Sequence, residues 1–431
     1  MRKLLILADD LTGAADCANA FATHGLSATV IFEDTGEHVC SDVLAVDCDT
    51  RHLSPEDAAA RVTQITRNHI LNNPDLPVFK KVDSTLRGNV GTELRAVLEE
   101  RRLQADRDRR IVAIMAPAFP AGGRTTINGY QMVHGIPLNQ TETWNHNRLF
   151  GAAHIPAMLQ TSGLRTILLA LESVRSGPNQ LSTAMQHASL ESDVLVCDAE
   201  NDDDLKAIAQ ASITLGARPI WAGSAGLAYQ LPRAARLSTS TPPPHNQLEL
   251  STAPILFVVG SMSTVSHRQA AMLERTTTVT SIHIQPGILL DGPSHAAWAA
   301  IATRTQDSLR AGHDTLLVLD ANEHVDASEE RRLIHALGLM LVPYAKIVGA
   351  LVATGGETAR AILRGWGATS LVLLGEVEPG LPYSFAKMNN RRLPVLTKAG
   401  AFGNDDTLIS CREFLCSRLR KRDHAPARKS S

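Results

Sequence analysis

Short apolar runs alternate along the chain with turns rich in Gly, Ser and Asp and with stretches whose apolar residues recur every three to four positions. That alternation is the mark of strands and helices taking turns around a largely parallel sheet. The runs at 3–8, 27–32, 42–47, 77–82, 110–116, 165–170, 193–197 and 218–222 read as strands. They are continuous rather than alternating, which suits strands covered on both faces. Helical periods fall between them. In 92–102, for example, Leu94, Val97 and Leu98 form one apolar stripe.

The rhythm breaks at 232–254, "PRAARLSTSTPPPHNQLELSTAP", a Pro-, Ser- and Thr-rich stretch without period. It then resumes with strand runs near 255–260, 279–284, 315–319, 348–354, 370–375 and 393–397. The expected architecture is therefore α/β in two domains, each a mostly parallel sheet flanked by helices, with an active site in the cleft between them. The first domain is expected over 1–235, a linker over 236–254 and the second domain over 255–431.

Composition adds exclusions. A net charge of −2 gives no electrostatic footprint for nucleic acid or a membrane surface. No apolar stretch approaches the length of a membrane span, and the first strand begins with no leader-like segment before it. Cysteines at 17, 40, 48, 197, 411 and 416 form no C-x-x-C pair and no zinc spacing. They read as reduced thiols, and the expected location is the cytoplasm.

In open α/β sheets ligands bind beyond the carboxyl ends of strands. In the first half those ends carry "ADDLTGAAD", "DCDTRHL", "KKVDSTLRGN" and "APAFPAGGRTT". These loops offer Asp9, Asp10, Asp16, Arg51, Lys80, Lys81, Asp83, Ser84, Arg87 and Arg124. Cations pair with a carboxylate and Asp side chains accept from hydroxyls, so the set suits a small polyhydroxylated anion. One Asp can also take the proton of an attacking hydroxyl. The adjacent acids Asp9 and Asp10 have no evident structural task. Lys81, nearer the turn, is preferred to Lys80, which reads as a solvated flanking charge. Ser84 can be a turn former, and Arg87 a partner of Glu93.

The second half offers "VVGSMSTVSHRQ", "ATGGETARAIL", "LLGEVEPGLPYSFA" and "LTKAGAFGNDDTL", which are glycine-rich and lightly charged. Gly355, Gly356, Glu357 and Thr358 join a strand to a helix, where free N–H groups and the helix dipole cradle an anion. Gly400, Gly403 and Asn404 repeat the device. A polar-anion pocket in one domain and phosphate cradles in the other suit phosphoryl transfer. The Walker pattern G-x-x-x-x-G-K-[ST] and the G-x-G-x-x-G fingerprint are absent, which weighs against a P-loop protein and an NAD-linked dehydrogenase. A non-catalytic sensor of such an anion is the other rival, and the intact glycine loops argue against it. No metal ligand set is assigned. Asp202–Asp204 read as a helix start, and Asp405 and Asp406 either help hold a metal or cap the last helix.

In order, "ADDLTGAAD", "KKVDSTLRGNVG", "PAFPAGGRTT", "GSAGLA", "VVGSMS", "ATGGETA" and "TKAGAFG" resemble the four-carbon acid sugar kinase family, and the resemblance runs from residue 4 to about 416. It implies ATP- and Mg²⁺-dependent phosphorylation of a tetronate at its terminal O4 hydroxyl, with the acid on the first domain and ATP on the second. By motif match it places Asp10, Arg51, Lys81, Val82, Asp83 and Ser84 at substrate positions. It places Ser261, Gly355, Gly356, Glu357, Thr358 and Gly400 at nucleotide positions. Asp10 or Asp83 would be the base, and Lys398 would neutralise developing charge. "VDSTLRGN" is similar to the threonate and erythronate kinases rather than the 3-oxo-tetronate kinases, and D-threonate is preferred. The implied partners are the acid and ATP, with neither nucleic acid nor membrane, and a homodimer is admitted.

Overall fold

The computed structural model describes residues 2–34, 39–105, 110–141, 144, 151–215, 219–237, 253–320, 327–388 and 391–420. The chain divides into two compact units, Met1–Pro244 and His245–Ser431. Residues 238–252, most of the expected linker, lie outside the described residues.

The first unit contains β1 (Leu4–Ala8), β2 (Ala28–Ile31), β3 (Val43–Asp47), β4 (Val78–Lys81), β5 (Ala113–Ala116), β6 (Arg124–Ile127), β7 (Tyr130–Val133), β8 (Ile136–Pro137), β9 (Thr166–Leu169), β10 (Val194–Cys197) and β11 (Ile220–Gly223). Eight of these form a parallel sheet in the order β2-β3-β1-β4-β11-β5-β10-β9. Every residue of β1, β3, β4, β5, β10 and β11 is buried, as continuous apolar runs require when helices cover both faces. Leu94, Val97 and Leu98 of the helix Val90–Gln104 are fully buried in the same core as Leu5, Leu7 and Val46. The helix Pro55–Ile70 starts where sequence chemistry dictates. Ser54 accepts from Asp57 N at 3.1 Å, Pro55 opens the first turn, and Glu56 and Asp57 meet the positive end of the dipole. β6, β7 and β8 form a separate antiparallel sheet, so Arg124 lies on a strand rather than in a loop.

The second unit contains β12 (Ile255–Val259), β13 (Thr280–Ile284), β14 (Thr315–Leu319), β15 (Ala350–Thr354), β16 (Ser370–Glu376), β17 (Pro382–Met388) and β18 (Arg391–Lys398). Its order is β13-β14-β12-β15-β18-β17-β16. The first five strands are parallel, and β17 runs antiparallel to both β18 and β16. β17 corrects the sequence reading, which took "LPYSFA" as the end of a loop. No helix among the described residues is long and apolar enough to cross a membrane.

Candidate active site

β3, β1 and β4 are neighbours, and their carboxyl ends bring together residues far apart in sequence. Asp9 and Asp10 follow β1, Arg51 follows β3, Lys81 ends β4, and Val82 and Asp83 come directly after it. The acid pair has a structural task after all. Asp10 is the N-cap of the helix Leu11–Ala22, accepting from Gly13 N at 3.0 Å. Arg51 then bridges both acids. Its Nε donates to Asp9 Oδ2 at 2.7 Å, its Nη1 to Asp10 Oδ2 at 2.9 Å, and its Nη2 lies 2.9 Å from Asp10 Oδ1. Burial alone would raise the Asp9 pKa, but Arg51, Lys81 and Lys80 outweigh it and hold the carboxyl below its usual range.

Asp83 is equally well held. It accepts from the Thr85 hydroxyl at 2.6 Å and from Arg87 through Nε at 2.5 Å and Nη2 at 3.2 Å. Burial works against ionisation, yet Arg87 and then Arg51 keep its pKa well below the carboxylate norm. The loop carrying these groups reverses through Leu86 at φ 55° and Gly88 at φ 83°. A Cβ on Gly88 would come within 3.3 Å of Asp9 Oδ2 and 3.5 Å of Arg51 Cα, so the glycine lets the loop close over the acid pair. Asn89 Nδ2 ties it down by donating to Thr50 O and Leu53 O at 3.2 and 3.0 Å.

Two sequence assignments change here. Lys80 is not a solvated flanking charge: it is buried and forms a 2.7 Å ion pair with Glu93. Arg87 therefore pairs with Asp83 and not with Glu93. Val82 stays beside Lys81 and Asp83: its side chain is in the core and its N–H donates to Gly223 O at 2.7 Å. Ser84 is half-buried, and its carbonyl accepts from Gln131 Nε2 at 2.8 Å. Lys81 is buried, and its ammonium has no hydrogen-bond or ion-pair partner among the described residues. The Thr12 hydroxyl, beside Asp10, is likewise buried without a partner among them.

In the second unit the neighbours β12, β15 and β18 repeat the plan with glycine loops. Gly355, at φ 95°, precedes the helix Gly356–Gly365 and provides no side-chain cap, leaving the first-turn N–H groups of that helix without one. Its own N–H donates to Lys398 O at 2.8 Å. A Cβ on Gly355 would lie 3.3 Å from Thr358 Oγ1 and 3.7 Å from Ser261 Cβ, and one on Gly400 would stand 2.1 Å from Ser261 Oγ. Ser261, Gly355, Thr358 and Gly400 thus converge. The Thr358 hydroxyl is buried without a partner among the described residues. Glu357 occupies the first turn of the same helix, after Gly356.

Lys398 is again a correction. It is fully buried and donates to the carbonyls of Ala399, Gly400 and Phe402 at 2.9, 3.0 and 3.0 Å, stitching the 399–402 loop. Burial brings its pKa down to about 8, with Cys411 and Glu378 offsetting only part. Ser266 and Gln269, which the sequence reading passed over, hold the same loop through Gly400 O at 2.6 Å and Phe402 O at 3.0 Å. Asp405 pairs with Arg268 at 3.0 Å.

The arrangement offers fixed carboxylates and cations in one unit and an anion cradle in the other. Family models agree with that division. A sugar-binding N-terminal domain matches residues 4–231, and a nucleotide-binding C-terminal domain matches residues 256–408. A D-threonate kinase of Cupriavidus necator is 39% identical over 94% of this chain and 96% of its own length. The chain belongs to the four-carbon acid sugar kinase family. A D-threonate kinase of Salmonella typhimurium is 28% identical over 96% of this chain and 98% of its own. A D-erythronate kinase of Heliobacterium modesticaldum is 27% identical over 97% and 98%. Among solved structures, a Haemophilus influenzae protein has a TM-score of 0.68 at 19% identity, covering 95% of this chain and 100% of that one. At that identity the likeness bears on the fold alone. As a kinase family member, the chain is an enzyme, and the dehydrogenase and sensor readings fall away.

Proposed function

We propose that the chain transfers the γ-phosphoryl group of ATP to the terminal O4 hydroxyl of D-threonate. The first unit would bind the acid through Asp10, Lys81, Asp83 and the Ser84 turn, with Arg51 fixing the acid pair. The second would bind ATP through Ser261, Gly355, Gly356, Glu357, Thr358 and Gly400. The observation that carries the reading is the glycine-walled cradle with its unpartnered Thr358 hydroxyl. N–H groups at a helix start and a free hydroxyl are the donors that a phosphate chain asks for. D-threonate is preferred because the Cupriavidus necator relative of that name is 39% identical, against 27% for relatives named D-erythronate and 3-oxo-tetronate kinases.

Phosphoryl transfer asks the protein mainly for positioning and charge. Asp10, anchored by Gly13 N and Arg51, would orient O4 and accept its proton. Asp83 is the weaker base, since Arg87 holds its pKa well down. Mg²⁺ bound with ATP would neutralise phosphate charge. Such an ion would be held mainly by the phosphates and water.

A coupled ADP-release assay against D-threonate, D-erythronate and 3-oxo-tetronates tests the reading. Turnover is expected on D-threonate above the others, and none on any tetronate would overturn it. Gly400→Ala tests the cradle. Its methyl group meets Ser261, so the KM for ATP is expected to rise about tenfold or more while the KM for the acid stays put. An unchanged ATP KM would remove Gly400 from the nucleotide site.

A further inference from the structure

The acceptor proposed above carries one carboxylate, and the cations around Asp9, Asp10 and Asp83 are not equally free to take it. Arg51 already donates from Nε and Nη1 and places Nη2 against Asp10. Arg87 is spent on Asp83 and Lys80 on Glu93. Two cations remain without a carboxylate among the described residues, Lys81 and Arg124.

Arg124 is the better built of the two for a planar anion. Its backbone is pinned by a reciprocal pair with Phe119, Phe119 N to Arg124 O at 2.8 Å and Arg124 N to Phe119 O at 3.0 Å. The turn Pro120–Gly122 between them closes through Gly123 at φ 71°. A Cβ on Gly122 would stand 2.7 Å from Arg124 Nη1 and 2.9 Å from the Phe119 ring, so only glycine leaves room for the guanidinium there. Nη1 donates to Gly122 O, while Nε is buried with no partner among the described residues. The group is half-buried, and its small sheet sits against the Asp83–Ser84 turn, because Gln131, opposite Thr126 in that sheet, donates to Ser84 O at 2.8 Å. Burial lowers its pKa, and Asp83 offsets part of that. A guanidinium taken out of water, with open N–H donors and no carboxylate, is poorly compensated until an anion arrives.

We propose that Arg124 binds the carboxylate of the acceptor acid, with Lys81 as the second cation. This rests on the sugar-acid reading above. It makes Arg51 the residue that sets Asp9 and Asp10, and Arg124 the one that distinguishes an acid from a neutral polyol. A guanidinium fork offers two parallel donors to a carboxylate, which an ammonium cannot reproduce.

The test compares D-threonate with its neutral amide, measuring affinity and KM in the wild type, Arg124→Gln and Arg124→Lys. Arg124→Gln is expected to weaken D-threonate about ten- to a hundredfold, to leave the amide and MgATP within about twofold, and so to erase the preference for the acid. Arg124→Lys is expected to fall between, and it carries the test if the glutamine variant does not fold. Equal losses on acid and amide, or none on either, would overturn the proposal. If the wild type binds no tetronate at all, the sugar-acid reading fails on its own. Thermal stabilisation by a panel of small carboxylates then decides Arg124: stabilisation of the wild type but not of Arg124→Gln keeps the anion site, and any other pattern removes it.

Discussion

Asp10→Asn is expected to lower kcat on D-threonate by about a thousandfold, within the usual range for loss of a positioned base, while the KM for ATP stays near the wild-type value. The substitution separates the two tasks of this side chain. Asn is as good an N-cap as Asp, so the acceptor for Gly13 N survives and the helix Leu11–Ala22 keeps its start. What disappears is one of the two negative charges facing Arg51 and the proposed proton acceptor for O4. Asp83→Asn gives the contrast. Asp83 is already filled by Thr85 and Arg87, so its loss is expected to raise the KM for the acid more than it lowers kcat. Steady-state kinetics with both substrates varied read the difference. A kcat for Asp10→Asn within tenfold of the wild type would remove Asp10 as the base.

Lys80→Met is expected to destabilise the first unit by about 3–5 kcal/mol, the usual result of leaving half of a buried ion pair behind. Lys80 and Glu93 are each about 1% exposed, and the ammonium also donates to Lys81 O at 2.8 Å. Without it Glu93 is a buried carboxylate with no counter-charge. For a unit of this size the melting temperature should fall by about 10 °C. The double variant Lys80→Met with Glu93→Leu should recover most of the loss, because the uncompensated charge is gone. Differential scanning calorimetry checks both, and a single variant that melts with the wild type would show that the pair adds nothing. The sign of the pH dependence also follows. Burial alone would lower the Lys80 pKa, but Glu93 and Asp9 raise it above that of an ordinary lysine. Its contribution is therefore complete at neutral pH and is lost only as pH rises past the ordinary lysine value of about 10.4 and through the higher folded-state value.

The strands that read clearly in the sequence are those that are apolar throughout. Leu4–Ala8, Val43–Asp47 and Ile255–Val259 are buried on both faces, and nothing local competes with that reading. β17 was hidden because Pro382, Ser384 and Lys387 interrupt its apolar residues, and its antiparallel partners are visible only in the folded sheet. Strand-end position predicted that Asp10, Arg51, Lys81 and Asp83 would meet, and the neighbouring strands β3, β1 and β4 bring them together. Which charge answers which was not legible. Lys80 finds Glu93 through the packing of β4 against a helix, and Lys398 points back into its own loop. Both assignments depend on side-chain direction, which residue type and spacing do not encode.

β11 holds a consequence for how the protein is made. The last strand of the first unit in sequence, Ile220–Gly223, lies between β4 and β5 in the middle of its sheet. Gly223 O also accepts the N–H of Val82, next to Asp83. As the chain leaves the ribosome, the edges of β4 and β5 stay unpaired until residue 223 emerges. The unit that carries the Asp10–Asp83 cluster is thus a late product of synthesis, and a nascent chain stopped before β11 should expose two sticky strand edges and need a chaperone's protection.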